Sequence, residues 1–161
     1  MHAELFFVGT DQHDAVVQCV LERLNSPPDP QGKQPVWGLD NGYDLSLASG
    51  AERKVAISPV ADGWIAGIES KQALDFKLLQ TVSERLEAEV VACQISTSSN
   101  YYGYARCIAG KIVESKCCED GDDPLLCVRS YLRTLGVPFG VITFPEAIRL
   151  RSVGWRVLKR G

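Results

Sequence analysis

The chain has 161 residues, of which 45% are hydrophobic and 23% are charged, and its net charge is −3. This length fits one domain that buries about 70% of its surface on folding, so stability requires neither a metal nor a disulfide. The mildly acidic charge argues against a general nucleic-acid binder, because such proteins are usually basic. We therefore expect one domain over residues 1–161.

The sequence also lacks the features of a membrane or exported protein. No apolar run approaches the ~20 residues that cross a bilayer. The first residues lack the basic segment and the long apolar stretch of a signal peptide, and Glu4 interrupts them early. These features predict a cytoplasmic protein with no membrane partner.

The N-terminal part of the chain predicts a strand, a helix and a loop. Glu4–Thr10 is an apolar strand pattern that ends near Gly9, and apolar residues recur at helical spacing from about His13 to Leu24. Residues 25–34 contain three prolines and a glycine, which end the helix and predict a surface loop.

A hairpin is predicted next. Asp40-Asn41-Gly42 favours a tight turn, because Asn-Gly accepts positive φ, and short strands are predicted on either side at Pro35–Leu39 and Tyr43–Ala48. Arg53–Val60 is a further strand pattern, and a turn is predicted at residues 61–63.

The middle of the chain alternates strand and helix patterns. Trp64–Glu69 and Val90–Ile95 are strand patterns, and Leu74–Leu86 between them has an apolar face of helical period. Tyr101–Glu114 is predicted to form a two-stranded ribbon that turns at Gly110.

The C-terminal part adds a third helix at Pro124–Leu135, with Asp123 as its N-cap and Gly136 as its stop. Phe139–Phe144 is an apolar strand pattern, and residues 149–161 form a basic tail. Together, the elements predict a single α+β domain with a mainly antiparallel sheet and about three helices packed on it.

The basic tail has two interpretations. Its arginines and lysines could contact nucleic-acid phosphates while Trp155 stacks on a base. In the simpler interpretation the tail is a terminal strand or helix whose charges are solvated or face an acidic partner. We favour the simpler one and expect no nucleic-acid partner.

The six cysteines and the acidic residues 119–123 predict no metal site. The chain has no Cys-x-x-Cys pair and no export signal, so we expect reduced thiols, with Cys19 and Cys93 in the core. The acidic segment lacks the ligand spacing of an EF-hand loop and fits the start of a helix. Cys117 and Cys118 are candidates for an exposed, oxidisable thiol. No metal and no cofactor are expected.

The chain has no catalytic signature, since Gly-x-Ser-x-Gly, a phosphate-binding glycine-rich loop and His-Glu-x-x-His are all missing. We therefore predict no catalytic residue. The alternative is a small cytosolic enzyme whose cleft is assembled from scattered groups such as His13, Cys117 and Glu114. Glu69 and Asp75 are also available carboxylates, but no spacing singles them out as a pair.

A polar run at residues 96–100 leads into Tyr101, Tyr102 and Tyr104. Tyrosine offers rigid contact area with a polar tip, so this region has the composition of a recognition surface. Strand alternation places Tyr102 and Tyr104 on one face and Tyr101 on the other. Alternatively, one face packs on a helix and the other forms cross-strand pairs.

A Gly-Trp strand, a helix rich in leucine and an aromatic hairpin occur at residues 62–69, 79–86 and 102–114, with a further strand at 90–95. These segments resemble small bacterial immunity-type proteins, which accompany polymorphic toxins and contact-dependent or type VI secreted effectors. The resemblance implies a non-enzymatic inhibitor that binds one cognate toxin and blocks its active site or substrate access. Such proteins are usually acidic toward basic nuclease toxins.

The exposed aromatic and acidic side chains are the expected partner contacts. These residues are Tyr101, Tyr102, Tyr104, Asp120, Asp122 and Asp123.

Overall fold

The computed structural model describes residues 1–26, 37–39, 53–71, 74–119 and 121–161. In this part of the chain, seven strands form one sheet in which all pairs are antiparallel, and four α-helices accompany it. The predicted α+β class with a mainly antiparallel sheet is confirmed. None of the helices in the described ranges has the length and apolar composition needed to cross a membrane.

The described residues form seven strands, four α-helices and one 3-10 turn. The strands are β1 His2–Gly9, β2 Lys54–Ile57, β3 Ile65–Glu69, β4 Glu89–Ser96, β5 Tyr101–Ile108, β6 Lys111–Glu119 and β7 Arg156–Lys159. The helices are α1 His13–Asn25, α2 Phe76–Arg85, α3 Pro124–Thr134 and α4 Phe144–Arg149, and a 3-10 turn at Leu150–Val153 follows α4. The strand order across the sheet is β6-β5-β4-β1-β3-β2-β7.

Helices cover both faces of this sheet. The central strand β1 buries six consecutive residues, and successive side chains point to opposite faces. Phe6 packs with the apolar residues of α1 and α2, whereas Phe7 packs with those of α3 and the segment that follows it. We name these two sides the α1/α2 face and the α3/α4 face. A strand buried on both faces has a continuous apolar sequence, as β1 does at Leu5–Val8.

The apolar periodicity of the sequence predicted the positions of α1 and α2 closely. Helix α1 buries Val16, Val17 and Val20. In α2 the Asp75 carboxylate accepts a hydrogen bond from the Leu78 amide at 3.1 Å, which satisfies an N–H group that has no partner inside the helix.

The predicted start and stop of α3 are also confirmed. Oδ1 of Asp123 accepts hydrogen bonds from the amides of Leu125 and Leu126 at 2.9 and 3.1 Å, and Pro124 is the first helical residue. Gly136 has a φ of 74°, a left-handed conformation that glycine adopts without steric cost and that commonly ends helices.

The predicted strand at Phe139–Phe144 was wrong. Residues 137–143 have no regular structure, and α4 begins at Phe144. Thr143 and Glu146 form a capping box, in which the Thr143 amide donates to Glu146 Oε2 at 2.6 Å and the Glu146 amide donates to Thr143 Oγ1 at 3.4 Å. This reciprocal capping, with Pro145 in the first turn, outweighs the apolar run.

The strand predicted at Pro35–Leu39 was wrong for its described residues. Trp37–Leu39 belong to no strand, because Gly38 takes a left-handed φ of 69° and Trp37 turns into the core against the Phe76 ring, at 5.4 Å between centroids. The other predicted features of this region lie wholly or mostly outside the described residues: the loop at 25–34, the turn at 40–42 and the strand at 43–48.

The basic tail forms an edge of the sheet. β7 pairs with β2, so Arg156 and Lys159 project from an edge strand and remain exposed. Trp155 is only 9% exposed and meets the Phe139 ring edge-on at 6.3 Å. Its indole ring is therefore part of the core and does not offer a free face to a nucleic-acid base.

The other edge of the sheet is the hairpin β5–β6. Its turn residues Ala109 and Gly110 have φ values of 49° and 77°, as in the type I′ turns that join twisted strands. The turn predicted at Gly110 is confirmed, and β6 continues past the predicted end at Glu114 to Glu119.

Candidate functional site

Two polar loops meet at one end of the sheet. Residues 97–100 connect β4 to β5, and residues 119–123 connect β6 to α3. Because β5 and β6 are antiparallel, Tyr101 at the start of β5 lies opposite Glu119 at the end of β6. The Asn100 side chain donates a hydrogen bond to the Gly121 carbonyl at 3.3 Å, which ties the two loops together. We call the surface formed by residues 97–100, 119 and 121–123 the acidic end surface.

Three carboxylates of the acidic end surface are exposed, those of Glu119, Asp122 and Asp123. Asp123 is held in place by its N-cap hydrogen bonds, while Thr97, Ser98 and Ser99 place hydroxyl groups on the neighbouring loop. The structure thus brings the predicted contact residues Asp122 and Asp123 to one surface. Asp120 lies outside the described residues.

The predicted tyrosines are divided between the two faces of the sheet. Tyr101 is half-buried, and its hydroxyl donates to Gln94 Oε1 at 3.0 Å. Tyr102 is 4% exposed, and the half-buried Tyr104 ring stacks on the Tyr131 ring of α3 with 3.6 Å between centroids. Most of the Tyr102 ring therefore packs inside the fold, and only parts of Tyr101 and Tyr104 reach solvent. Their role in binding a partner stays a prediction.

The tyrosine ladder, which consists of Tyr102, Tyr104 and Tyr131, joins α3 to the edge hairpin. The Tyr131 hydroxyl donates to Glu114 Oε2 at 3.1 Å, and burial together with the nearby Glu114 charge raises the pKa of Tyr131. Lys116 Nζ lies 5.8 Å from the centre of the Tyr102 ring. These contacts pack α3 against β5 and β6.

A second group of charged residues is buried on the α1/α2 face. The Arg53 guanidinium donates to both oxygens of Glu69, at 3.1 and 2.5 Å, and to Asp75 Oδ2 at 2.8 Å. Arg23 of α1 donates to the same Asp75 oxygen at 2.7 Å. We call Arg23, Arg53, Glu69 and Asp75 the buried ionic cluster. The sequence contained these residues, but no spacing linked them.

The two carboxyl groups of the buried ionic cluster respond differently to their surroundings. Burial raises the pKa of Glu69 in spite of its pairing with Arg53. Burial alone would also raise the pKa of Asp75, but the charges and hydrogen bonds of Arg53 and Arg23 outweigh it and hold that pKa below its ordinary value. Arg53 therefore contacts both carboxylates, whereas Arg23 contacts only Asp75 and adds to the lowering of its pKa.

A small cavity of about 170 Å³ lies at the rim of the buried ionic cluster. It opens where the β1–β3 pairing, which covers Leu5–Val8, stops short of the β1 N-terminus. The walls of the cavity include His2, Glu4, Glu69, Lys71 and Thr143. His2 Nε2 and Glu4 Oε1 are 2.9 Å apart. The cavity therefore combines hydroxyl, carboxyl, imidazole and amine groups.

The fold does not bring together His13, Cys117 and Glu114, the residues suggested for the alternative enzyme. His13, at the start of α1, has its Nε2 3.0 Å from the Ser58 carbonyl, beside the end of β2. Glu114 and Cys117 lie on β6, at the opposite edge of the sheet, and their side chains point to opposite faces of that strand. The three side chains form no common cleft.

The described cysteines are unpaired thiols. Cys19, Cys93 and Cys107 are buried, and burial raises the pKa of each thiol, which disfavours the reactive thiolate. Cys117 is exposed, whereas Cys118 on the next position of β6 is half-buried. Within the described ranges, no three residues of the metal-binding types His, Cys, Asp and Glu are grouped so that they could hold an ion.

Comparison of the chain with models of known protein families, with characterised proteins and with solved structures found no match. Its function is therefore inferred from the contacts and charges described above.

Proposed function

We propose that the chain is a stoichiometric inhibitor that binds a basic secreted toxin or effector protein through the acidic end surface. The observation that carries this proposal is the meeting of two loops that are distant in sequence. They bring the exposed carboxylates of Glu119, Asp122 and Asp123 to the end of the sheet where residues 97–100 lie, and Asn100 links the loops directly. The immunity-type resemblance of residues 62–114 supports a toxin as the partner.

Electrostatics gives this surface its preference for a basic partner. Exposed carboxylates without arginine or lysine partners attract a positively charged surface and accelerate encounter, most strongly at low salt. In the described residues, Glu119, Asp122 and Asp123 form no ion pair. The net charge of −3 acts in the same direction.

The surface is also preorganised. Asp123 is fixed by two backbone amides of α3, and residues 97–100 are anchored to the neighbouring loop through Asn100. The Thr97 amide donates to the Met1 carbonyl at 2.9 Å, which adds a third anchor. A surface that is already ordered loses less conformational entropy on binding, so more of the contact energy appears as affinity.

The test is co-expression with the products of adjacent genes. We expect one of those products to be toxic, to be neutralised by this chain and to co-purify with it in a 1:1 complex. Reversal of two surface charges, Glu119→Lys with Asp122→Lys, should weaken the complex by about tenfold or more.

The control is Glu87→Lys, a single charge reversal at the opposite end of the sheet, where Glu87 is exposed. It should leave affinity and neutralisation unchanged. The proposal fails if no adjacent product is neutralised, or if the acidic end variant and the control inhibit equally well.

A second candidate function is turnover or binding of a small polar molecule in the 170 Å³ cavity. The observation that favours it is Glu69, whose raised pKa and position in the cavity wall are typical of a general acid or base. A Glu69→Gln variant that keeps its thermal transition but loses turnover of a metabolite panel would support this candidate. Equal activity of the variant and the parent would remove it.

A further inference from the structure

Strand β6 is an exposed edge of the sheet. It runs for nine residues, pairs within the described chain only with β5, and exposes every residue except Ile112 and Cys118, which are half-buried. An edge strand of this length presents unpaired backbone N–H and C=O groups and is a template for a further strand. Its side chains determine which strand fits.

We propose that two copies of this chain pair through β6, antiparallel and around a two-fold axis at Ser115, so that the two sheets become one. In this register Glu114 lies opposite the partner's Lys116 and Val113 lies opposite the partner's Cys117. The two-fold symmetry makes each of these pairs occur twice. The segment Val113–Cys117 is thus complementary to itself.

The neighbouring symmetric registers are unfavourable. An axis at Glu114 would place that carboxylate against its own copy, and an axis at Lys116 would oppose two ammonium groups. Like charges directly opposite one another destabilise an antiparallel pair, whereas opposite charges and apolar pairs stabilise it. The charge pattern therefore selects the register at Ser115.

The charged residues of this pattern are available in the single chain. Both Glu114 and Lys116 are exposed, and neither forms an ion pair in the part of the chain that the structure describes. One oxygen of Glu114 accepts the Tyr131 hydroxyl, and Lys116 lies beside the Tyr102 ring. Both side chains therefore occupy the same face of β6, as cross-strand pairing requires.

A β-bulge limits the length of the paired segment. Arg106 lies opposite Glu114 and Cys107 lies opposite Ile112, so Val113 is an extra residue at which the strand bends. Only the regular part of β6, which begins there, aligns with its copy. Because such an interface is small, we expect a weak dimer with a Kd on the order of 10 µM.

Sedimentation velocity of the full chain in reducing buffer, from about 1 to 500 µM, should show a monomer–dimer equilibrium. Glu114→Lys and Lys116→Glu, taken singly, place like charges against each other and should each weaken dimerisation by about tenfold. Glu87→Lys is the matched control and should dimerise like the parent.

The decisive experiment mixes the two single variants. Glu114→Lys should pair with Lys116→Glu, because each lysine then lies opposite a glutamate, so the 1:1 mixture should associate about tenfold more tightly than either variant alone. The double variant Glu114→Lys/Lys116→Glu should also dimerise. A parent that stays monomeric at about 500 µM, single variants that dimerise like the parent, or a mixture that associates no more tightly than the separate variants would each overturn the proposal. This interface does not depend on the toxin proposal, since neither Glu114 nor Lys116 belongs to the acidic end surface.

Discussion

The buried ionic cluster and the acidic end surface both concentrate carboxylates, but their surroundings differ. Glu69 and Asp75 are excluded from water and are matched by arginines, and together they join α1, β3 and the start of α2. Glu119, Asp122 and Asp123 are in water and have no cationic partner in the described residues. Buried charges require partners inside the fold, whereas exposed charges remain available to another molecule.

The largest expected effect follows from removing the shared arginine. Arg53→Met leaves Glu69 and Asp75 with less counter-charge, and an uncompensated buried charge costs about 3–5 kcal/mol. Urea unfolding at pH 7 measures the loss, and Arg156→Met on the exposed edge strand is the control. A change below about 1 kcal/mol would mean that the cluster does not hold the fold together.

The charge of Asp75 should contribute less than the arginine, and its contribution should depend on pH. Asp75→Asn keeps an N-cap oxygen but loses the carboxylate, so we expect a loss of roughly 2–3 kcal/mol at pH 7. Because the folded-state pKa of Asp75 lies below its ordinary value of 3.8, the ionised group stabilises the fold above that pH. This contribution is lost as pH falls through the folded pKa.

Unfolding free energies of the parent and Asp75→Asn should therefore converge as the pH is lowered below 3.8. A difference that stays constant between pH 7 and the acid limit would show that the Asp75 charge is not the stabilising group.

The tyrosine ladder is intermediate in burial between the buried ionic cluster and the acidic end surface, because its rings are largely buried and the carboxylate that Tyr131 contacts is exposed. Tyr131→Phe removes the hydrogen bond to Glu114 and should cost about 1 kcal/mol at pH 7. The raised pKa means that the unfolded chain loses the Tyr131 proton first, so stability falls as pH rises above the ordinary value of 10.0. The variant should show a shallower alkaline decline in urea unfolding; an identical decline would contradict the assigned pKa direction.

The smallest effect on stability is expected at the acidic end surface. Glu119→Lys with Asp122→Lys should lower the free energy of unfolding by only about 0.5 kcal/mol, because both side chains are exposed and form no ion pair in the described residues, so that only the weak attraction of Asp122 to the N-terminus of α3 is lost. Thermal unfolding of this variant and the parent checks the prediction. A large loss would show that these carboxylates support the fold, as the buried ones do.

Local sequence signals predicted much of the fold. The periodicity from Val16 to Leu24 and the Asp123-Pro124 start of α3 depend on residues close together in the chain, so they could be interpreted directly. The capping box of Thr143 and Glu146 was an equally local signal, and it marks the start of α4 within the apolar run that predicted a strand at Phe139–Phe144.

The strand order and the covering of both sheet faces are non-local. The uninterrupted apolar run Leu5–Val8 was a signal for burial on both faces, yet nothing in it identifies β3 and β4 as its neighbours. Those neighbours are fixed by packing between segments that are far apart in sequence.

The residues of the candidate site could be predicted from local sequence, but their meeting in space could not. Asp122 and Asp123 stood out as a charge cluster, but their meeting with residues 97–100 depends on the antiparallel register of β5 and β6. Glu69 was visible as a charge in an apolar strand, which requires a buried partner. Its partner Arg53 could be identified only from the pairing of β2 with β3.

The most direct test of the proposed division of roles is a calorimetric titration of the adjacent-gene toxin into the parent and into Glu119→Lys/Asp122→Lys. We predict 1:1 binding to the parent and binding at least about tenfold weaker to the variant, with both proteins equally folded. Equal affinity of the two proteins would contradict the assignment of the acidic end surface as the docking site.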